Sequence, residues 1–328
     1  MDKLTPVVKA RKPGQKREAV IAAINGVLGD HLATKNNPMA IPMQLRYDKK
    51  PINRLEQIPE VSKNKIVLLI HGSCMNDLQW NRKGHDHGSM LSQDLGYTPI
   101  YLLYNSGLHI SHNGQDLADF LETFMQNASK KTELVMLAHS MGGLISRSAI
   151  HYGIKKNHRW VKLLTKLIFL GTPHHGAPLE KGGNWIDNML EANPFSAPLS
   201  RLGKIRSAGI TDLRYGNIVD EDWDKYDRFA PSGDQRTPVP LPVNTQCFAI
   251  AATFGKSPTR FRKELLGDGL VPVSSALGRH KDPRLVLSFP ANNQWTGHDM
   301  SHLDLLNHPD VYAKIKSWLN VNDTVELG

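Results

Sequence analysis

Cysteine is scarce in this sequence of 328 residues: Cys74 and Cys247 are the only two, far apart and without a Cys-x-x-Cys spacing. This scarcity rules out a disulfide-dense secreted module and argues against a zinc ribbon. Long apolar runs are missing as well, because no uninterrupted stretch approaches the ~20 residues that a membrane span needs. No internal repeat or low-complexity tract stands out.

The overall composition is that of a globular protein. Hydrophobic residues make up 40% of the chain and are joined by 26 glycines, which gives an ordinary apolar share for a folded domain. This balance excludes a disordered chain and a collagen-like repeat. The length allows two domains or one large α/β domain with insertions, and either can bury a sizeable core.

Positive charge is concentrated at the N-terminus. The formal net charge is +9, and residues 1–17 contain six Lys and Arg residues against one Asp. A basic tail of this kind could contact nucleic acid or an anionic membrane. Because no aromatic residue is interleaved for base stacking, we expect no nucleic-acid partner and, at the membrane, only weak surface contact through this tail.

The apolar segment 19–29 follows the basic stretch and has some features of a signal peptide. Glu18, Asn25 and Gly26 interrupt it, and no small-residue cleavage site follows. The sequence therefore predicts a cytoplasmic protein.

Apolar runs and helical spacings alternate along most of the chain. Six short apolar runs predict strands, at residues 65–70, 97–104, 134–138, 164–170, 247–252 and 284–289. Helical spacing predicts helices over residues 16–34, 111–126, 141–152 and 303–319. This alternation of continuous apolar strands with helices is typical of an α/β fold, with a mainly parallel sheet covered by helices on both faces.

The predicted organisation has two parts and one insertion. Residues 1–60 form a basic tail and a helical arm, and residues 61–328 form the α/β domain. Residues 176–243 break the alternation with many Gly, Pro, Asn and aromatic residues. A loop this long inside a compact domain is usually functional, so we predict a cap or lid.

The strongest local motif is residues 138–143 (AHSMGG), directly after a predicted strand and before a predicted helix. A serine at this place stands on a sharp turn that lifts its hydroxyl above the carboxyl ends of the sheet, which makes Ser140 a candidate nucleophile. Ala138 stands where a glycine is usual. The alternative is an ordinary helix with Ser140 as its N-cap.

Two backbone N–H groups are candidates for binding the oxyanion of an acyl-transfer reaction. Met141 opens the helix after the serine, where its N–H has no helical partner. The first buried strand ends in residues 71–73 (HGS), so the N–H of Ser73 is the second candidate. His-Gly after a strand is only a turn when taken alone.

A serine nucleophile needs a histidine base and a carboxylate, in the chain order Ser, acid, His. Asp268, in residues 267–272 (GDGLVP), is the favoured acid, with Asp282 as its rival. His302 and His298 are the two candidate bases. We favour His302, because the last helix is predicted to begin near Leu303 and would hold it rigidly.

These motifs together resemble those of bacterial lipases and esterases of the α/β-hydrolase fold, from about residue 60 to the C-terminus. The motifs His-Gly, AHSMGG, GTPHHGA (171–177) and GDGLVP occur in the order of that family, and GDGLVP is also similar to inositol-deacylase-like hydrolases. The resemblance implies the α/β-hydrolase fold, with Ser140, Asp268 and His302 as catalytic triad. It also implies Ser73 and Met141 as oxyanion amides.

Other side chains have weaker signals. His85, Asp86 and His87, with His109 and His112, offer metal-ligand types, but no four-ligand spacing is visible, so we predict no metal and no cofactor. In the predicted cap, we expect the aromatic side chains Trp185 and Trp223 to contact the substrate. His174 and His175 are expected to cap the sheet edge or line the pocket.

The predicted function is a serine carboxylic-ester hydrolase that works through an acyl-enzyme. Its partner would be a small-molecule ester or lipid with an apolar acyl or alcohol group. The same residues could serve an acyltransferase, an amidase or a lipid head-group deacylase. A hypothesis of another class is a non-catalytic scaffold that binds an anionic surface through its basic arm.

Overall fold

The computed structural model describes residues 14–59, 64–176, 191, 194–195, 197, 206–224, 234–254 and 267–320. The first element is helix α1 (Gln15–Thr34), which confirms the helix predicted there. A hairpin of two short strands follows, β1 (Gln44–Tyr47) and β2 (Lys50–Ile52). Asp48 and Lys49 form its turn with positive φ angles of 48° and 60°, as a two-residue hairpin turn requires.

Strands and helices then alternate as predicted. The strands are β3 (Lys65–Ile70), β4 (Thr98–Leu103), β5 (Glu133–His139), β6 (Leu164–Leu170), β7 (Gln246–Thr253) and β8 (Gln294–His298). The helices between and after them are α2 (His87–Leu95), α3 (Ile110–Phe124), α4 (Met141–Lys155), α5 (Ala208–Tyr215), α6 (Glu221–Asp224), α7 (Val273–Ala276) and α8 (Pro309–Leu319).

Within the described ranges, eight strands form one sheet in the order β2-β1-β4-β3-β5-β6-β7-β8. All neighbours from β4 to β8 are parallel, and only the β1–β2 and β1–β4 pairs are antiparallel. The carboxyl ends of the parallel strands therefore meet at one edge of the sheet, which brings the loops after β3, β5, β6 and β7 together.

Both faces of the sheet are buried. In β3, Ile66 and Leu68 face a core shared with α3 and α4, whereas Val67 and Leu69 face a core shared with α2 and α8. Alternate side chains of one strand point to opposite faces, so a continuous apolar run is what a doubly covered strand requires. The predicted α/β fold with helices on both faces is confirmed.

The strand predicted at residues 284–289 is wrong. Pro283–Leu285 is a short 3-10 turn, and the last strand is instead Gln294–His298. The alternation of residues that predicted this strand is present in the structure: Leu285, Leu287 and Phe289 are buried, and the residues between them are exposed. Leu287 and Phe289 pack on the core of α3 and α4 from a segment that is not one of the strands of the sheet.

The last helix begins at Pro309 and not near Leu303. A proline is favoured at the first position of a helix, and it disfavours helical backbone in the residue before it, here His308. Residues 304–306 form only one 3-10 turn. His302 therefore lies in a loop, six residues before His308. The start of the helix does not explain its position.

The N-terminal arm is tied to the sheet by a partly buried group of three charged side chains. Arg46 of β1 donates from Nη1 to Asp77 Oδ1 at 3.1 Å and to Glu18 Oε2 of α1 at 3.2 Å. Burial raises the pKa of Asp77 above its usual value although Arg46 opposes that rise.

Part of the predicted cap cannot be compared with the structure. Residues 177–190, 192–193, 196, 198–205 and 225–233 lie outside the described residues. Among the described helices, none is both long and apolar enough to cross a membrane.

Arg46→Ala should lower the free energy of unfolding by ~3 kcal/mol, because it leaves the buried carboxylate of Asp77 without its partner. Arg284→Ala is the matched control, since it breaks an arginine–aspartate pair whose arginine side chain is 71% exposed. The control should leave the free energy of unfolding almost unchanged. Urea unfolding followed by circular dichroism measures both variants, and equal losses would contradict the expectation.

Candidate active site

Ser140 stands on a strained turn between β5 and α4. Its backbone has φ 55° and ψ −123°, a conformation that residues other than glycine rarely adopt. Its N–H donates to the carbonyl oxygen of Leu170, at the end of the neighbouring strand β6, at 2.9 Å. A serine held in this geometry between a strand and a helix matches the nucleophile elbow that the sequence motif predicts.

Glycines allow the backbone to approach closely around this turn. A Cβ added to Gly142 would collide with the carbonyl oxygen of Ile70 at the end of β3. One added to Gly72 would lie 3.1 Å from Ser140 Cβ, and one added to Gly143 would collide with Thr172 Oγ1. Helix α4 therefore starts directly against the ends of β3 and β6, as the motif requires.

The structure brings Asp268 and His302 together. His302 Nδ1 donates to Asp268 Oδ2 at 2.7 Å, and both side chains are buried. The other carboxylate oxygen, Oδ1, accepts the N–H groups of Leu270 at 3.0 Å and Val271 at 2.8 Å. The carboxylate is fixed at both oxygens, so it can hold the imidazole in one tautomer and one orientation.

The two rival residues are not part of this buried pair. Asp282 is held by the exposed Arg284, whose hydrogen bonds lower the pKa of Asp282 to about 2. His298 is an exposed residue at the end of β8. The structure pairs Asp268 with His302. The sequence-based reason for favouring His302, a helix start next to it, is wrong, because the last helix begins at Pro309.

The imidazole of His302 lies at the same sheet edge as Ser140. A Cβ added to Gly171, directly after β6, would lie 3.0 Å from His302 Cε1. Gly171 has φ 58°, so both its conformation and this close approach favour glycine. His139, directly before Ser140, donates from Nε2 to the carbonyl oxygen of His302 at 3.2 Å, and the two rings lie 4.7 Å apart.

Two further imidazoles near the serine are neutral. Burial lowers the pKa of His139 well below its usual value, and it lowers the pKa of His71 to about 4. Neither ring therefore carries a positive charge at neutral pH. The buried Asp268 carboxylate is the side-chain hydrogen-bond partner of the His302 ring.

The loop after β3 is anchored on both sides of Ser73. Before it, the carbonyl oxygen of His71 accepts the Tyr104 hydroxyl at 2.7 Å, and the two rings stack at 4.2 Å. After it, Cys74 has φ 58°, and its N–H donates to Ser106 Oγ at 3.0 Å. Met141, the other predicted oxyanion donor, is the first residue of α4. No motif or spacing in the sequence predicted a role at this site for His139, Tyr104 or Ser106.

Of the two tryptophans predicted to contact substrate, the structure describes Trp223 but not Trp185. Trp223 lies on α6, where its indole stacks on His109 at 3.8 Å and donates to Ser111 Oγ at 3.0 Å. It therefore packs over the start of α3, in the loop region that follows β4. Trp185 lies outside the described residues.

The histidines considered as metal ligands have protein partners. His85 Nε2 lies 2.8 Å from His87 Nδ1, and His109 Nδ1 lies 2.7 Å from Asp212 Oδ2. The described residues contain no group of three or more His, Cys, Asp or Glu side chains placed to hold a metal ion. His174 is buried against Phe169 near the end of β6.

Comparison with known proteins gives the family. Residues 62–239 match the family model described as the PGAP1-like alpha/beta domain, whereas no curated protein matches the chain. The mature form of the lipase BlEst2 from Bacillus licheniformis is similar in structure, with a TM-score of 0.50 at 18% sequence identity, covering 85% of this chain and 98% of the lipase. A lipase-esterase related protein from Clostridium acetobutylicum has a TM-score of 0.44 at 15% sequence identity, covering 79% of this chain and 96% of that protein.

The family model spans more than half of the sequence, and the likeness to the Bacillus lipase covers 85% of this chain. The chain thus belongs to the PGAP1-like alpha/beta domain family and has the α/β-hydrolase fold of the lipases and esterases.

Proposed function

We propose that this protein is a serine carboxylic-ester hydrolase, with Ser140, His302 and Asp268 as its catalytic triad. One observation carries the proposal: the buried His302–Asp268 pair lies at the sheet edge where the strained turn presents Ser140. A nucleophile, a base and a group that orients the base are the parts that acyl transfer to serine needs. The lipase and esterase fold supports the same class of reaction.

In the proposed acylation, Ser140 Oγ attacks the ester carbonyl carbon and passes its proton to His302 Nε2. The Oγ–C bond forms, and the carbonyl oxygen becomes an oxyanion. When the oxyanion collapses, the bond to the alcohol breaks, and His302 gives its proton to the departing alkoxide. Asp268 stabilises the imidazolium between these two transfers, because its carboxylate accepts the Nδ1–H throughout.

The proposed oxyanion donors are the backbone N–H groups of Ser73 and Met141. Both lie on segments that touch the turn: Gly72 approaches Ser140 Cβ, and Met141 follows Ser140 directly. Fixed N–H dipoles stabilise charge that develops in the transition state without having to reorganise. Water activated by His302 then attacks the acyl-enzyme, which releases the acid and restores the Ser140 hydroxyl.

For the substrate we propose an ester with an apolar acyl or alcohol group. The support is the aromatic content of residues 176–243, of which Trp223 packs beside the loop that follows β4. Apolar side chains favour apolar substrate groups because each buried methylene is worth ~0.8 kcal/mol.

Ser140→Ala should lower kcat for p-nitrophenyl esters by ~10³-fold or more, since loss of a triad nucleophile has an effect of this size. Ser148→Ala is the matched control. It removes another buried hydroxyl of α4, one that donates to the carbonyl oxygen of Ile218 at 2.6 Å. The control should keep kcat near that of the wild type, and near-normal turnover by Ser140→Ala would refute the triad.

His302→Ala should lower kcat about as far as Ser140→Ala, and the double variant should be little worse than either, because triad members act as a unit. His298→Ala should cost about tenfold or less, because an exposed histidine at the end of β8 can affect the site only through loop packing or substrate contact. Steady-state kinetics of the four variants decides between the two histidines. The opposite pattern would make His298 the base.

Trp223→Ala should change the ranking of ester chain lengths more than the turnover of acetate esters. If the indole forms a wall of the acyl pocket, its loss flattens the gain of ~0.8 kcal/mol per added methylene. The measurement is kcat/KM for p-nitrophenyl esters from two to sixteen carbons. Trp185→Ala is tested in the same series, and an unchanged ranking in both variants would place the acyl pocket elsewhere.

A further inference from the structure

Helix α1 packs against the fold through its small residues. Its buried positions include Ala19, Ala22, Ala23, Gly26 and Gly29. A Cβ added to Gly26 would collide with Cys74 Sγ and would lie 2.8 Å from Cys74 Cα. The backbone of α1 is thus in direct contact with the residue that follows Ser73 in the loop after β3.

The same face of α1 contacts a second loop, residues 105–107 after β4. A Cβ added to Gly29 would collide with Asn105 Oδ1, and one added to Gly107 would lie 2.6 Å from the Gly29 nitrogen. Asn105 Nδ2 donates to the carbonyl oxygen of Gly29 at 2.9 Å, and Asn105 Oδ1 accepts the Gly107 N–H at 3.0 Å. Neither loop can move towards α1 without a collision.

Ser106 links the two loops. It lies between Asn105 and Gly107, is almost fully buried, and its Oγ accepts the N–H of Cys74 at 3.0 Å. Cys74 has φ 58°, a conformation that costs an ordinary residue free energy and persists only where its surroundings hold it. The Ser106 hydroxyl and the face of α1 are the surroundings that hold it here.

Helix α1 is also held by helix α5. Ser207, the N-cap of α5, donates from Oγ to the carbonyl oxygen of Gly26 at 2.6 Å. The N–H of Ala208 donates to Asp30 Oδ2 at 2.9 Å. The Gly26 peptide is therefore clamped between α5 and Cys74, and its position sets the position of Cys74.

We infer that α1 and the 105–107 loop position the N–H of Ser73 for oxyanion binding, with Gly26 and Ser106 as the positioning residues. This inference rests on the proposed function, since it assigns a role within that active site. The Ser73–Cys74 peptide and the Gly72–Ser73 peptide, which carries the Ser73 N–H, meet at the Ser73 Cα, so a shift of Cys74 displaces the Ser73 N–H relative to the oxyanion. The N-terminal arm is then part of the catalytic apparatus, although it lies outside the motifs that resemble lipases.

The first test removes the Ser106 hydroxyl. Ser106→Ala should lower kcat by about tenfold or more while KM stays within about twofold, because a misplaced oxyanion donor affects the transition state more than the bound substrate. Affinity for a trifluoromethyl ketone, which forms a tetrahedral oxyanion on the serine, should fall by a similar factor. Ser106→Thr, which keeps the hydroxyl, should restore kcat to near the wild-type value.

The second test inserts a methyl group between α1 and Cys74. Gly26→Ala should reproduce the fall in kcat and in trifluoromethyl ketone affinity. Gly14→Ala is the matched control at the N-cap of the same helix, where an added Cβ has no atom within 4 Å among the described residues. The control should leave both quantities unchanged.

Controls separate this inference from simple destabilisation and from failure of the proposed function. Ser148→Ala also loses a buried hydroxyl and should lower Tm about as much as Ser106→Ala, but without a fall in kcat. If Ser106→Ala and Gly26→Ala keep wild-type kcat while Ser140→Ala is inactive, the positioning role is wrong and the triad stands. If Ser140→Ala is active, the proposed function itself fails.

Discussion

The close approach of helix α4 to the carboxyl ends of β3 and β6 is the constraint on which the rest of the site depends. It exists because Gly72, Gly142 and Gly143 have no side chains where Ser140, Ile70 and Thr172 press against them. Ser140 adopts its positive-φ conformation where the start of α4 meets this edge. Because parallel strands end together, the loops that carry Ser73, Asp268 and His302 arrive at this edge from separate parts of the chain.

The titratable side chains at this edge have different surroundings. Asp268 is buried and bonded at both oxygens, whereas burial keeps His71 and His139 neutral at physiological pH. In the proposed reaction, the Asp268 carboxylate stabilises the His302 imidazolium, which forms for a short time during acylation and again during deacylation. The neutral rings fill space and supply hydrogen bonds without opposing that charge.

Much of this arrangement follows from the sequence because its signals are local. The strands at residues 65–70, 134–138 and 164–170 are continuous apolar runs, and the motif around Ser140 lies between such a run and a helix. The pairing of Asp268 with His302 could be predicted from chain order. The strand at Gln294–His298 could not, because it contains one large apolar residue, while residues 284–289 have strand-like alternation and are not one of the strands of the sheet.

Contacts between distant segments could not be predicted in the same way. The hairpin of β1 and β2 uses an Asp48-Lys49 turn in place of the usual Asn-Gly or Asp-Gly pair. The contact of Gly26 with Cys74 joins residues 48 positions apart, and no periodicity or motif reports such a pairing. Sequence motifs predicted the candidate reacting side chains, whereas the residues that hold them in place emerged only from the folded chain.

The central claim is that Ser140 is a nucleophile activated by its surroundings. Treatment of the whole protein with a fluorophosphonate, followed by peptide mass spectrometry, tests it most directly, because such reagents form a covalent bond only with an activated serine. The account predicts one phosphonyl adduct, on the peptide that contains Ser140, and its disappearance in His302→Ala. An adduct on another serine, or no adduct on a folded protein, would contradict it.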